Sequence, residues 1–279
     1  MKNLFIPVSA SGAMNGVMDL AIAIARPVGA RLSGIGADGP FGFSVTPIQF
    51  VGEADVAYLQ ARAQEEEVKS EKLFVDAMIA AGAPRLSPGD SGFGFDWVSR
   101  SARNGLSVPE HARVYDLILV ARRGKDAAPG QAALVDECLF ESGKPVLVVP
   151  PERGKSFGEH IAIAWNASSE TARTVAMGVE LLRAAKKVSV IGVESVGVAG
   201  PGVAALTQQL VRNGIPATAH NAPLRGRNGG QAFLEEAIAL GADMMFKGAY
   251  TQSRLRQMVF GGATAYLLDN VTMPMFMAH

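Results

Sequence analysis

The stretch that decides the fold class runs from His160 to Ser195 and reads HIAIAWNASSETARTVAMGVELLRAAKKVSVIGVES. It opens with a short apolar run typical of a strand, continues with a helical pattern and ends in a second β-rich run. A strand, a helix and another strand in succession are typical of a βαβ unit, in which the two strands are parallel. The stretch therefore predicts an α/β protein.

The same order of elements occurs twice along the chain, which indicates a tandem repeat. The matching segments are NLFIPVSAS (3–11) with HIAIAWNAS (160–168), RLSGIGAD (31–38) with KVSVIGVES (187–195), YDLILVAR (115–122) with ADMMFKGAY (242–250), and KPVLVVP (144–150) with MPMFMAH (273–279). Runs such as LILVA and VLVVP are apolar throughout, as expected of strands covered on both faces. We predict two domains, 1–151 and 158–279, each a doubly wound, Rossmann-like sheet of five mainly parallel strands.

Composition narrows the classes of function. The 279 residues are 48% hydrophobic and carry 26 basic and 26 acidic side chains, so there is no basic excess of the kind that nucleic-acid binders show. No apolar run reaches the ~20 residues of a membrane span, and no signal peptide is evident. With Cys138 as the single cysteine, no internal disulfide can form. We expect a cytoplasmic protein that binds neither nucleic acid nor membranes.

A glycine-rich stretch near the end of the chain, GAYTQSRLRQMVFGGAT, spans Gly248–Thr264. It follows a predicted strand, and its Gly-Gly pair precedes a predicted helix, where free N–H groups and the helix dipole favour phosphate. The candidate phosphate-binding residues are Gly248, Thr251, Arg254, Gly261, Gly262, Ala263 and Thr264. The alternative is that the glycines only permit turns and that the arginines are solvated, and the stretch itself favours neither.

The order of elements and this glycine stretch resemble the universal stress protein family, which has an adenine nucleotide α-hydrolase-like fold. Its nucleotide-binding members carry G-x2-G-x9-G-[ST] after the fourth strand. Gly248 and Gly261 match the first and third glycines. Thr251 stands at the second glycine, and Gly262 stands at the Ser/Thr position, with the hydroxyl of Thr264 two residues later.

The resemblance implies that ATP or another adenine nucleotide binds in the second half. Asn166 stands where the family has an aspartate near adenine and ribose, and Val193 would line the adenine pocket. Trp165 would pack over that pocket or belong to the core or to an interface. Ala121 replaces the first glycine in the first half, which also lacks the Gly-Gly pair, so its nucleotide site is predicted to be degenerate.

The resemblance also implies a homo-oligomer, specifically a dimer, with protein partners that the sequence does not identify, and last strands of the two halves that lie side by side. The four histidines are scattered, which argues against a metal site, and Ser168 reads as a helix cap. We therefore expect no catalytic residues and at most slow, incidental ATP hydrolysis. Two alternatives remain: a pseudo-dimeric scaffold that binds no nucleotide and recruits protein partners, and an ATP pyrophosphatase-type ligase.

Overall fold

The computed structural model describes residues 1–10, 13–37, 53–124, 129–152, 154, 156–249 and 262–279. Three of the predicted site residues, Thr251, Arg254 and Gly261, lie outside these ranges. The strands are β1 (Asn3–Val8), β2 (Arg31–Gly36), β3 (Gly94–Val98), β4 (Leu117–Ala121), β5 (Val146–Val149), β6 (His160–Ala164), β7 (Lys187–Val193), β8 (Ala217–Ala222), β9 (Met244–Gly248) and β10 (Met275–Ala278). The helices are α1 (Met14–Val28), α2 (Glu53–Ala80), α3 (Val108–His111), α4 (Pro129–Glu141), α5 (Ser169–Met177), α6 (Val179–Ala184), α7 (Val203–Arg212), α8 (Gly229–Ala239) and α9 (Ala263–Asn270).

The contacts divide the chain into two compact units, Met1–Lys144 and Pro145–His279. In the first unit the strands lie in the order β3-β2-β1-β4 and are parallel. Gly34 of β2 lies where an added Cβ would be 2.7 Å from the ring of Phe74 on α2, so this glycine lets a helix pack closely on the sheet.

The second unit has the strand order β5-β10-β9-β6-β7-β8. Its neighbouring strands are parallel, except that β5 runs antiparallel to β10 with Met275 opposite Val148. The last strands of the two halves therefore lie side by side, as the resemblance implied. The chain continues from β6 to β7 and β8 on one side of β6, and then returns to form β9 on the other side of β6. The strand order therefore reverses at β6, and ligands of open α/β sheets bind at such a switch point.

The predicted fold class, an α/β protein with mainly parallel sheets and five strands from each half, is confirmed. The physical reason is the one that the sequence indicated, since strands covered by helices on both faces are apolar along their whole length. Ile161 and Ala164 of β6 and Phe246 of β9, for example, have no exposed surface. The extra length of the first half includes α2, which has 28 residues where α7 of the second half has 10.

None of the helices in the described ranges combines the length and the apolar character that a membrane span requires. Within the same ranges, no three side chains of the His, Cys, Asp or Glu types come together as metal ligands would.

Candidate functional site

The second unit has a cleft of about 520 Å³ at the carboxyl end of its sheet. Its floor and one wall come from the ends of three adjacent strands, β6, β7 and β8, and the opposite wall is the segment 196–203. The strand ends contribute Trp165, Asn166, Val193, Glu194, Asn221 and Ala222. Asn166 and Val193, which come from separate strands, are thus brought together in one cleft.

The cleft exists because β7 continues beyond the end of β6. The last registered pair between these strands is Ala164 with Ile191, and the Trp165 N–H donates to the Ile191 carbonyl oxygen at 2.8 Å. β7 nevertheless runs on to Val193, which pairs with Ala222 of β8. The backbone of β7 beyond Ile191 therefore has β8 on one side and the cleft on the other, which leaves a strand edge for a ligand.

A tight turn after β6 fixes the side chain of Asn166. Ala167 has a φ of 61°, and Ser168 caps α5 by accepting a hydrogen bond from the Thr171 N–H at 3.2 Å, as predicted. The Asn166 Oδ1 accepts hydrogen bonds from the Thr171 Oγ1 at 2.6 Å and from the Ser168 N–H at 3.4 Å. No described residue accepts a hydrogen bond from the Asn166 Nδ2, so this group can donate to a ligand in the cleft.

The wall of the cleft is held against this turn by glycines that permit close contact. A Cβ at Gly197, where φ is 150°, would lie 2.9 Å from the Asn166 carbonyl oxygen, and one at Gly200 would lie 3.0 Å from the Ala167 Cβ. The Val198 N–H donates to the Asn166 carbonyl oxygen at 3.0 Å. Larger residues at these two positions would push the wall away from the turn, so the glycines set the width of the cleft.

Trp165 lies between the cleft and a second pocket of about 450 Å³, which is lined by residues of α5 and α7. It is 6% exposed, and its Nε1–H donates to the Pro201 carbonyl oxygen at 2.8 Å. Trp165 was expected to pack over the adenine pocket or to belong to the core or to an interface, and the structure shows that the indole is buried and also belongs to the lining of the cleft. A hydrogen bond to Pro201 also ties the wall to the sheet.

Glu194 is the one charged residue in the described lining of the cleft. The rest of that lining is apolar, as at Val196, Val203 and Pro223, or carries an uncharged amide, as at Asn221. Because a lone carboxylate gives the cleft a negative potential, the cleft suits groups that donate hydrogen bonds better than it suits phosphate.

Gly248, the first glycine of the predicted motif, is packed behind the cleft. An added Cβ would lie 2.3 Å from the Thr171 nitrogen, so the lack of a side chain lets β9 approach the start of α5. The next N–H, that of Ala249, donates to the Ala278 carbonyl oxygen at 2.9 Å. These contacts account for glycine at position 248 through packing, whether or not a ligand is bound nearby.

Gly262 caps the N-terminus of α9 with φ −74° and ψ 168°, and an added Cβ there would meet no atom of the described residues within 4 Å. Ala263, the first residue of α9, lies against Gly230 of α8, where a Cβ would be 2.3 Å from the Ala263 carbonyl oxygen. Thr264 is buried. The neighbouring Gly229 would place a Cβ 2.9 Å from Val196 of the cleft and 3.7 Å from the Ala263 Cβ. The first turn of α9 is therefore separated from the cleft wall by one layer of residues.

Lys247, next to Gly248, is a buried cation at this edge of the sheet. It is 3% exposed, and its Nζ donates to the Gly248 carbonyl oxygen at 2.8 Å. Burial lowers the pKa of Lys247 to about 8, and Glu170 opposes this shift only in part.

The structure thus separates the predicted site residues into three groups. Asn166 and Val193 line the cleft, Gly262, Ala263 and Thr264 begin α9, and Gly248 packs on α5. Sequence reasoning missed Glu194, Asn221 and the glycines of the wall. The run VGVAGPG (196–202), with three glycines between a strand and a helix, was a signal that could have found the wall.

Comparison with solved structures identifies the fold. The structure of a universal stress protein from Archaeoglobus fulgidus DSM 4304 aligns with a TM-score of 0.63 and 14% sequence identity, over 99% of this chain and 95% of the other. A functionally unknown protein from Pseudomonas aeruginosa PAO1 aligns with a TM-score of 0.54 and 12% identity, over 100% of this chain and 92% of the other. No protein-family model and no curated protein sequence matches the chain. The chain therefore has the fold of a universal stress protein along its whole length.

Proposed function

We propose that this chain is a universal stress protein that binds ATP or a related adenine nucleotide in its second unit, with the adenosine part in the cleft. The observation that carries the proposal is the cleft itself. Asn166 and Val193, the two positions that the resemblance assigned to adenine and ribose, lie together in its lining.

The size and chemistry of the cleft support an adenosine ligand. A volume of about 520 Å³ is within the usual range for small-molecule sites, which are largely apolar with a few fixed polar groups. Val193, Val196 and Val203 offer apolar surface to a purine, and the Asn166 Nδ2 offers a donor to a ring nitrogen or a sugar oxygen. The Asn166 amide is oriented in advance by Thr171, so binding costs little side-chain entropy.

The phosphates, in this proposal, leave the cleft towards the N-terminus of α9. That terminus begins at Gly262, has no side-chain cap and carries the positive end of a helix dipole. Thr251, Arg254 and Gly261, which precede α9 in the sequence, belong to this phosphate-binding part of the proposal. Thr264, in the first turn of α9, supplies a hydroxyl.

We propose binding without catalysis as the role of the site. In the described part of the lining, Glu194 is the one carboxylate, and no histidine, lysine or cysteine stands beside it as a second acid or base. Nucleotide binding would then change the conformation or the choice of protein partner, and any ATP hydrolysis would be slow and incidental. A cytoplasmic location and a homodimer complete the proposal, and sedimentation of the purified chain tests the dimer.

A scaffold without nucleotide is the second candidate function. The packing of Gly248 against α5 favours it, because this glycine is needed whether or not phosphate binds. The antiparallel pairing of β5 with β10 is also compatible with a scaffold, because this pairing does not depend on a bound nucleotide.

Calorimetry of the intact chain with ATP distinguishes the two candidates. Val198 lines the cleft and is 47% exposed, so Val198→Trp should fill the cleft at little cost in stability. Val211 on α7 is similarly exposed, at 53%, and does not line the cleft, so Val211→Trp is the matched control. We expect ATP to bind the unmodified chain and the control, and to bind Val198→Trp at least about tenfold more weakly. A chain that releases no heat of binding with ATP would support the scaffold.

A further inference from the structure

Glu194 occupies a particular place in the fold. It directly follows β7, the second strand of the repeat in the second half of the chain, and its N–H donates to the Ala222 carbonyl oxygen of β8 at 2.9 Å. Ser195, which follows, has a φ of 59° and turns the chain into the cleft wall. The position of the Glu194 backbone is therefore fixed at the mouth of the cleft, while its side chain remains exposed.

The Glu194 carboxylate has no ion pair and no side-chain hydrogen bond with any described residue. Other acidic residues of the second unit are paired, for example Glu235 and Glu236 with Arg227, at 2.8 Å and 3.1 Å. An unpaired carboxylate in the lining of a cleft is an acceptor for donors on a ligand, and it repels anions. The hydroxyl groups of a sugar donate hydrogen bonds and carry no charge, so they suit this carboxylate. An ionised phosphate is an anion that only accepts hydrogen bonds, so the carboxylate repels it.

A carboxylate at the end of the second strand has a known use in α/β proteins. In dinucleotide-binding folds, an acidic residue at this point accepts a hydrogen bond from a ribose 2′-hydroxyl, and a 2′-phosphate requires a basic residue instead. Asn221 of the adjacent strand β8 also lines the cleft, and its Oδ1 lies 3.3 Å from the position of a Cβ at Gly192, so the same lining contains a second polar group.

We infer that Glu194 recognises the vicinal hydroxyls of ribose and makes the cleft selective for ribonucleotides over 2′-deoxyribonucleotides. This inference rests on the proposed function, because it assigns the sugar end of the same ligand. Glu194 determines specificity and takes no part in a reaction. It also excludes ligands with a phosphate on the 2′-oxygen, since that phosphate would lie against the carboxylate.

The test is calorimetry of the intact chain with two probes, ATP and 2′-deoxy-ATP. A hydrogen bond to a charged group discriminates by about tenfold or more, so we expect the unmodified chain to prefer ATP by that factor. In Glu194→Gln the preference should fall to about twofold or less. Glu180→Gln, which removes an exposed carboxylate of α6 away from the cleft, should keep the full preference.

A second pair of probes tests the repulsion between the Glu194 carboxylate and a phosphate on the 2′-oxygen. AMP should bind the unmodified chain at least about tenfold more tightly than adenosine 2′,5′-bisphosphate, and Glu194→Gln should narrow that gap because the repelling charge is gone. Tight binding of ATP together with equal affinity for 2′-deoxy-ATP, or a preference that survives in Glu194→Gln, would overturn the inference and leave the proposed function standing. If neither ATP nor AMP binds, both fail together.

Discussion

Gly248 lies directly against the backbone of Thr171, so that a Cβ at position 248 would be 2.3 Å from the Thr171 nitrogen and 2.7 Å from its Oγ1. The same Oγ1 donates to the Asn166 Oδ1 at 2.6 Å. The end of β9, the start of α5 and the polar side chain of the cleft therefore form one packed cluster. Gly248, the first glycine of the motif, thereby helps to position Thr171, which in turn orients the Asn166 side chain in the cleft.

Gly248→Ala should destabilise the second unit. The added methyl group has no room, because the nearest atoms belong to the backbone of α5, and overpacking of this kind costs about 1–3 kcal/mol in free energy of unfolding. Urea denaturation followed by circular dichroism measures the change. Gly130→Ala is the control, since a Cβ at this position in α4 meets no atom within 4 Å in the part of the chain that the structure describes, and alanine favours helix. Equal stability of the Gly248→Ala variant and the unmodified chain would show that the packing account is wrong.

Gly262→Ser should stabilise the chain. Gly262 has φ −74° and ψ 168°, close to the values of −80° and 156° at Ser168, whose hydroxyl already caps α5. A serine at 262 should therefore cap α9 in the same way and raise the free energy of unfolding by about 0.5 kcal/mol. Gly262→Ala adds a Cβ without a hydroxyl, so it separates the effect of the cap from that of the side chain. We expect the serine variant to unfold at higher urea concentration than the alanine variant, and the opposite order would contradict this prediction.

Trp165 should report on binding. It lines the cleft and donates to Pro201 of the cleft wall, so a bound adenine changes the surroundings of its indole ring. In Trp97→Phe, Trp165 is the remaining tryptophan, and titration with adenosine should change its emission. Trp165→Phe should lose the fluorescence change while calorimetry still detects binding. An emission spectrum that stays constant at saturating adenosine would place the ligand away from this cleft.

Lys247 should make stability depend on pH in the alkaline range. Burial lowers its pKa from 10.5 to about 8 in the folded state, so between these values the unfolded chain binds more protons than the folded chain. Stability from this group therefore increases as pH rises from about 8 to 10.5, by about 3 kcal/mol in total. Lys247→Met should remove that increase, while Lys187→Met, an exposed lysine at the start of β7, should keep it. Parallel pH profiles of the unmodified chain and Lys247→Met, measured by urea denaturation, would contradict this prediction.

The fold was predictable because its signals are local. Apolar runs such as Val146–Val149 are strands covered on both faces, and the Ser168 cap follows from a serine that precedes a helical pattern. The grouping of β5 with the second unit depends instead on its pairing with β10, which is far away in the sequence. No local pattern near Val146 contains that information.

The candidate site was only partly predictable. The family resemblance named Asn166 and Val193, and both line the cleft because Asn166 follows β6 closely and Val193 ends the adjacent β7. The packing of Gly248 depends on Thr171, which lies on another element, so the sequence around Gly248 does not reveal it. In the sequence alone, nothing distinguishes Glu194 from other acidic residues. It can be recognised as a candidate only in the structure, where β7 extends beyond the end of β6 and a cleft lies beside Glu194.

The most direct test of the central claim is a crystal structure of the intact chain grown with a saturating concentration of ATP. We predict density for the adenosine part between β7 and the wall 196–203, in contact with Asn166 and Val193, with the ribose hydroxyls beside Glu194 and the phosphates directed towards Gly262. Density for the nucleotide at any other place, or a cleft without ligand in crystals that diffract well, would contradict the account.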